Sequence, residues 1–189
     1  MDSLTATVWR SIDLARPGYQ LTGWGSLAAS GSLRLPFQKI LEDLRAKTDS
    51  GRTTIRVDLP AHGLHVDRVA GESVRPEVRS IRNDGSLDQW AMPTIKWLAV
   101  HQEILVQNDF ATDPPPVSQG LVDVYGVHAQ MLGPLVSAGR MLGWISVHEV
   151  AGPRRWAERD RAALGEAMSA ALGVLERHAS REDSFSVHA

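Results

Sequence analysis

Cysteine is absent from all 189 residues, which excludes disulfides, cysteine nucleophiles and thiolate metal sites. An excess of positive charge is absent too. The formal net charge is −2, so there is no basic footprint for nucleic acid. No apolar run approaches the length needed to span a bilayer. Met1-Asp2-Ser3 lacks the basic start and apolar core of a signal peptide. Membrane attachment is therefore not expected, and a cytoplasmic location is the default expectation. The chain also lacks the spacings that carry chemistry. It has no His-x-x-x-His pair, no acidic cluster, and no nucleophile beside a base. Asp109 and Asp113 come closest, but they sit next to Pro114-Pro115-Pro116, where acids usually form turns. Gly23-Trp24-Gly25 has no strand–loop–helix context and is not a dinucleotide fingerprint. Lysine is scarce beside arginine and alanine, which points to a GC-rich, bacterial origin.

What is present is ordinary globular material, 43% apolar and 22% charged. The clearest stretch runs from Val127 to Arg177. Val127, Ala129 and Met131 alternate with His128 and Gln130, the period-two pattern of a strand with one apolar face. Gly133-Pro134 marks a bulge or an edge position, and Ser137 to Arg140 reads as a hairpin turn around Gly139. The return strand, Met141 to Glu149, places Ile145 and Val147 on one face and Trp144, Ser146 and His148 on the other. After Gly152-Pro153, Leu164, Ala167, Met168, Ala171, Leu172 and Leu175 make a continuous helical stripe. Its many alanines allow close approach to another helix, in this chain or in a second copy.

Upstream, Pro36 to Lys47 is expected to be a helix, with Pro36 in its first turn and a stripe of Phe37, Ile40, Leu41 and Leu44. Thr53 to Leu59 is a strand with Ile55, Val57 and Leu59 inward, and Leu64 to Ala70 is its expected hairpin partner. Gly71 to Ser86 reads as loop. Leu87 to Val100 reads as helix, broken or started at Pro93. Gln102 to Gln107 is a short strand, and Val117 to Tyr125 is a short helix capped by Gly126. Residues 1–33 are expected to form an arm against the domain or a partner subunit, and 179–189 a frayed tail.

These residues resemble a family. Gly133-Pro134-Leu135-Val136, the turn, Met141 to His148, and Trp156-Ala157-Glu158-Arg159-Asp160 leading into a long amphipathic helix look like the end of a GAF domain. The helix at Pro36 and the strand Thr53-Thr54-Ile55-Arg56-Val57 resemble its start. The resemblance spans about residues 35–177, within a domain placed at 34–178. One departure is Ala157, where the family often carries a capping Ser or Thr. The resemblance implies an α+β fold, an antiparallel sheet with the N- and C-terminal helices on one face and short helices and loops over the other. It also implies that the middle portion covers the second face and forms a ligand pocket. Without cysteine, the family's methionine sulfoxide reductase branch and its covalent bilin attachment are disfavoured. The signature of its cyclic-nucleotide-binding members is not recognisable.

The faces opposite the apolar ones carry Thr54, Arg56 and Asp58, then His128 and Gln130, then Trp144, Ser146 and His148. Aromatic-bearing middle segments laid over such a face would enclose a concave site with a few polar groups. The candidate ligand contacts are Arg56, Trp90, Trp97, Tyr125, His128, Gln130, Trp144 and His148. Trp90 and Trp97 are seven apart and would share a helix face. The competing reading is a closed pocket with Arg56 and Asp58 paired across strands. His128 and His148, as hairpin neighbours, could begin a metal or haem site, but the spacing of a ligand set is missing, so no metal is expected. His101 reads as a helix-end cation, and His62 and His65 as turn and strand surface. The expectation is a non-catalytic sensor of an unidentified small organic molecule that signals through a helix-mediated homodimer to a separate partner. The alternatives are a scaffold with a sealed pocket and an uncharacterised cysteine-free enzyme.

Overall fold

The hairpin near the C-terminus forms the middle of the sheet. The computed structural model describes residues 26–60 and 63–186, with side chains at 33–60 and 63–178. The expected arm up to residue 25, His62 and residues 187–189 lie outside the described residues. The elements are α1 (Ser26–Thr48), β1 (Arg52–Val57), β2 (Gly71–Val74), α2 (Pro93–His101), β3 (Leu105–Gln107), α3 (Gln119–Asp123), β4 (Ala129–Ser137), β5 (Arg140–Glu149) and α4 (Glu158–Ser186). The five strands pair in the order β2-β1-β5-β4-β3, and every pairing is antiparallel. The fold is thus α+β, as the sequence implies.

At the β4–β5 turn, Ala138 and Gly139 both take positive φ, 49° and 74°. A two-residue turn of that kind matches the twist of the strands it joins. Pro134 is tolerated because β3 pairs β4 only from Gln130 to Leu132, leaving β4 an edge beyond that point. The register shift falls one residue later, between Leu135 and Val136. Gly143 lies opposite Val57 in the β1 pairing. A Cβ there would stand 2.0 Å from the Arg56 carbonyl oxygen, so the close approach of β5 to β1 requires glycine.

Pleat parity splits the sheet into two faces. Ile55, Val57, Met131, Ile145 and Val147 meet Phe37, Leu41 and Leu44 of α1 and Leu164, Ala167 and Ala171 of α4 in one apolar core. Of the α4 alanines, Ala163, Ala167 and Ala171 are buried in it, while Ala162 and Ala170 remain exposed. The other face is roofed by α2, α3 and the irregular segments 75–92, 108–118 and 124–128. Val66, Ile81, Met92, Ile95, Leu98, Leu121, Tyr125 and Trp144 form a second cluster there.

Several boundaries differ from the sequence reading. α1 begins ten residues earlier than Pro36, which lies inside it. Leu33, Phe37, Leu41 and Leu44 are all buried along one stripe, so packing of that face outweighs the interior proline. The partner of β1 is Gly71–Val74, not Leu64 to Ala70. Leu64 makes only an isolated bridge to Leu59, and Val66 and Val69 turn into the second cluster. Gly71 packs tightly on Leu41, Ile55 and Phe37; a Cβ would meet them at 3.0–3.2 Å. Val127 belongs to the second cluster, not to the apolar face of β4, because the strand starts only at Ala129. α4 continues as helix to Ser186, past the expected end at Arg177. Ala157 lacks a capping side chain, and Asp160 Oδ2 accepts from its backbone N–H at 2.9 Å, half of a capping box. No helix among the described residues is long and apolar enough to cross a membrane.

Candidate functional site

The roofed sheet face is polar yet buried. β1 contributes Arg52, Thr54 and Arg56, β5 contributes Ser146 and His148, and β4 contributes Gln130, all at most 3% exposed. An antiparallel sheet can wet such a face; here it is covered, so each group needs an internal partner.

Arg52 meets this need with neutral acceptors. Its Nη1 donates to the Arg79 carbonyl and its Nη2 to the Tyr125 carbonyl, each at 2.9 Å, and its Nε faces His148 Nδ1 at 3.3 Å. Burial brings its pKa down to about 10, so the guanidinium stays charged at neutral pH. The nearby acid is Glu72, whose oxygens are engaged by the Ile81 N–H and the Ser80 hydroxyl. Arg56 donates to the Val66 carbonyl at 2.6 Å and the Tyr125 hydroxyl at 3.1 Å. It does not turn toward Asp58, and burial lowers its pKa as well. His148 is held well below its usual pKa, by burial first and then by the charges of Arg52 and Arg56. It is therefore neutral, and with Nδ1 accepting from Arg52 its proton sits on Nε2.

Tyr125 ties sheet to roof. Its hydroxyl also accepts from Gln89 Nε2 at 3.4 Å, and burial raises its pKa. Gln130 donates to Gln107 Oε1 at 2.7 Å, while Gln107 Nε2 holds the carbonyls of Asp113 and Pro115. The proline loop is thereby pinned to the sheet edge.

Between sheet and roof remains a cavity of about 10 Å³, near the lower limit for one water. Arg56, Gln89, Thr94, Tyr125, Gln130, Ser146 and His148 supply its polar lining, and Ile81, Met92, Ile95, Leu121, Leu132 and Trp144 its apolar lining. Of the eight candidate contacts, the structure brings Arg56, Tyr125, Gln130, Trp144 and His148 together around this cavity. Trp90 stands just outside, its ring edge-on to Trp144 at 5.9 Å. It precedes α2, so it shares no helix face with Trp97. Trp97 stacks on His101 at 4.1 Å and does not line the cavity. His128 is exposed at the end of the sheet, its backbone bonded to Phe110 and Glu149.

Sequence reasoning missed Arg52, Gln89, Thr94 and Gln107. Arg52 shares strand parity with Thr54 and Arg56, so extending the strand by one residue would have found it. Gln89 and Thr94 carry no periodic signal. Among the described residues no group of three His, Asp or Glu could hold a metal ion. A larger hollow of about 420 Å³ lies on the opposite face, between Leu59, the β4–β5 turn and the α4 residues Leu172 and Leu175.

The GAF domain family matches residues 32–175. No curated protein matches the chain. Solved structures show the same fold. The GAF domain of PixJ from Thermosynechococcus elongatus, in its blue-light absorbing form, is 16% identical with a TM-score of 0.69, over 87% of this chain and 98% of that one. GAF3 of Slr1393 from Synechocystis sp. PCC6803, in its photoproduct state, is 14% identical with a TM-score of 0.62, over 77% and 95%. The chromophore-binding domain of the bacteriophytochrome RpBphP3 from R. palustris is 19% identical with a TM-score of 0.57, over 79% and 60%.

Proposed function

Because this chain belongs to the GAF domain family, we propose that it is a sensory module that binds a small organic molecule between the polar sheet face and its roof. The observation that carries this reading is the roofed face itself: buried, hydrogen-bonding side chains converge from three strands on a residual cavity. A sheet that only needed a second core would bury apolar residues there, as its other face does. The roof is largely irregular, so it can open without disturbing the strands beneath. Occupancy would then be passed to α1 and α4, packed on the opposite face, and through exposed α4 positions such as Ala162 and Ala170 to a second copy. The module works in the cytoplasm and hands its signal to a separate partner. The reading is non-catalytic. His148 accepts from a cation, where a general base would be oriented by a carboxylate.

Native mass spectrometry of the purified protein, set against its denatured mass, tests this. Mass that is lost on denaturation supports a retained ligand, and a dimer supports the proposed output. A bare monomer that also gains no mass across a broad metabolite mixture sinks the reading. One observation favours a second reading, a scaffold with a sealed pocket: the cavity of about 10 Å³ is too small for an organic ligand until the roof moves.

A further inference from the structure

Four donors meet around the cavity beside the amides of Gln89 and Gln130 and the Ser146 hydroxyl. Arg56, the Tyr125 hydroxyl, the Thr94 hydroxyl and His148 all offer hydrogens, and no carboxylate lines the cavity. Arg52 lies behind this layer, touching His148. Two charged guanidiniums thus sit under the roof, bonded to carbonyls, a phenol and an imidazole. Glu72, the acid near Arg52, is engaged by the Ser80 hydroxyl and the Ile81 N–H, and Asp67 and Asp84 act on Arg56 from outside the cavity lining. Charges buried this way are usually paired.

Two further features point into the same space. Thr94 is fully buried, lines the cavity, and its Oγ1 has no hydrogen-bond partner. Thr94 is also the second residue of α2, a helix of nine residues whose N-cap, Met92, makes no side-chain cap. Pro93 has no N–H to offer, and the first turn carries no acid. The Ile95 and Lys96 N–H groups turn back to the Met92 carbonyl, so the start of α2 offers its dipole rather than a row of free N–H groups. A buried hydroxyl without a partner, at a helix start without an acid, suits an anionic oxygen.

Resting on the reading that this site binds a small molecule, we propose that its ligand presents an anionic oxygen group, a carboxylate or a phosphate. Arg56, the Thr94 hydroxyl and the start of α2 receive it. The group enters at the present cavity once the apolar roof side chains Met92 and Ile95 move aside to make room for it and for the rest of the molecule. Tyr125, having accepted from Arg56 and Gln89, keeps its own proton to donate.

The test is isothermal titration calorimetry of the full chain at matched ionic strength. Four single-ring probes differ only in head group: benzoate, phenyl phosphate, benzamide and benzamidine. Benzoate or phenyl phosphate should bind at least about tenfold more tightly than benzamide, with benzamidine silent. Whichever of the two binds identifies the source of the anionic oxygens. Thr94→Val, which keeps shape and removes only the hydroxyl, should weaken that anion about tenfold. Arg56→Gln should weaken it further. Benzamide binding as tightly as the anions would overturn the charge assignment while leaving small-molecule binding intact. Equal titration by wild type and Thr94→Val would remove the proposed receiving group in the same way. Silence from all four probes would overturn the anion assignment, and the native mass measurement would then judge small-molecule binding by itself.

Discussion

The two faces of the sheet are built from the same strands and solve opposite problems. On the α1–α4 side, Phe37, Leu41, Ile55, Ile145 and Leu164 are fully buried and apolar, and the Thr53 hydroxyl among them donates to the Leu41 carbonyl at 2.8 Å. On the roof side, Arg52, Arg56, Gln130 and His148 are as deeply buried, and each must find a donor or an acceptor. The first face gains stability in proportion to area removed from water. The second gains little net stability from its hydrogen bonds and carries two desolvated cations. A family fold that only required a core would not place charge at its centre. The contrast separates the part that holds the domain together from the part proposed to receive a ligand.

Truncation should break the comparison most visibly. Phe37→Ala, on the apolar side, should cost about 3–5 kcal/mol in urea unfolding, because the lost ring leaves a cavity among α1, β1 and β2. Trp90→Ala, in the half-buried roof, should cost clearly less and leave cooperative unfolding intact. Equal losses would mean that the roof is not separately soft, and the opening that ligand entry needs would lose its support.

Acid should act on the roof side through His148. His148 is neutral in the folded protein, and its folded pKa lies below the unfolded value of about 6.5. Below that pH the unfolded chain gains a proton that the folded one cannot, so stability falls on acidification. The slope from this group tends towards one proton, about 1.4 kcal/mol per pH unit. Arg52 and Arg56 are the charges facing it, and both stay protonated throughout, so they do not offset the loss. Urea midpoints measured between pH 7.5 and 5 should fall less steeply in His148→Gln than in wild type. Parallel slopes would show that His148 accepts a proton freely and is not pressed against Arg52.

Thr94 should show the two faces trading against each other. Thr94→Val removes a buried hydroxyl with no partner, so the unliganded protein should gain about 1 kcal/mol while anion binding weakens. Loss of stability instead would mean that the hydroxyl already has a partner, and it would no longer mark a place for a ligand.

The apolar face was the legible one. Ile55 and Val57, Ala129 and Met131, and Ile145 and Val147 all fall where alternation puts them. Parity also assigned Arg56, Gln130, Trp144 and His148 to the roof side correctly, because a pleat has only two sides. It could not say how far the roof reaches. His128 has the right parity and stands exposed, since Ala129 begins the strand and the roof stops short of it. The β2 strand was hidden because Gly71-Glu72-Ser73 has little strand propensity. Its place is set by Gly71 fitting against Leu41 and Ile55, a contact between distant segments. Trp90 and Trp97 misled for a related reason. A spacing of seven means a shared face only within one helix, and Pro93 starts α2 between them.

The smallest effect tests the stabilising side alone. The departure at Ala157 leaves α4 with half a capping box, in which Asp160 reaches back to the Ala157 N–H and no side chain at 157 reaches forward. Ala157 is exposed, so serine fits there without repacking. Its hydroxyl can accept from the Asp160 N–H, which now meets only the Ala157 carbonyl at 3.0 Å. Ala157→Ser should therefore stabilise by about 0.5–1 kcal/mol, read as a shift in urea midpoint at constant slope. The site is remote from the roof, so the gain should be additive with that of Thr94→Val and should leave anion titrations unchanged. Coupling between the two variants would show that α4 and the cavity communicate, and would turn the separation of the two faces into the route by which occupancy reaches the helices.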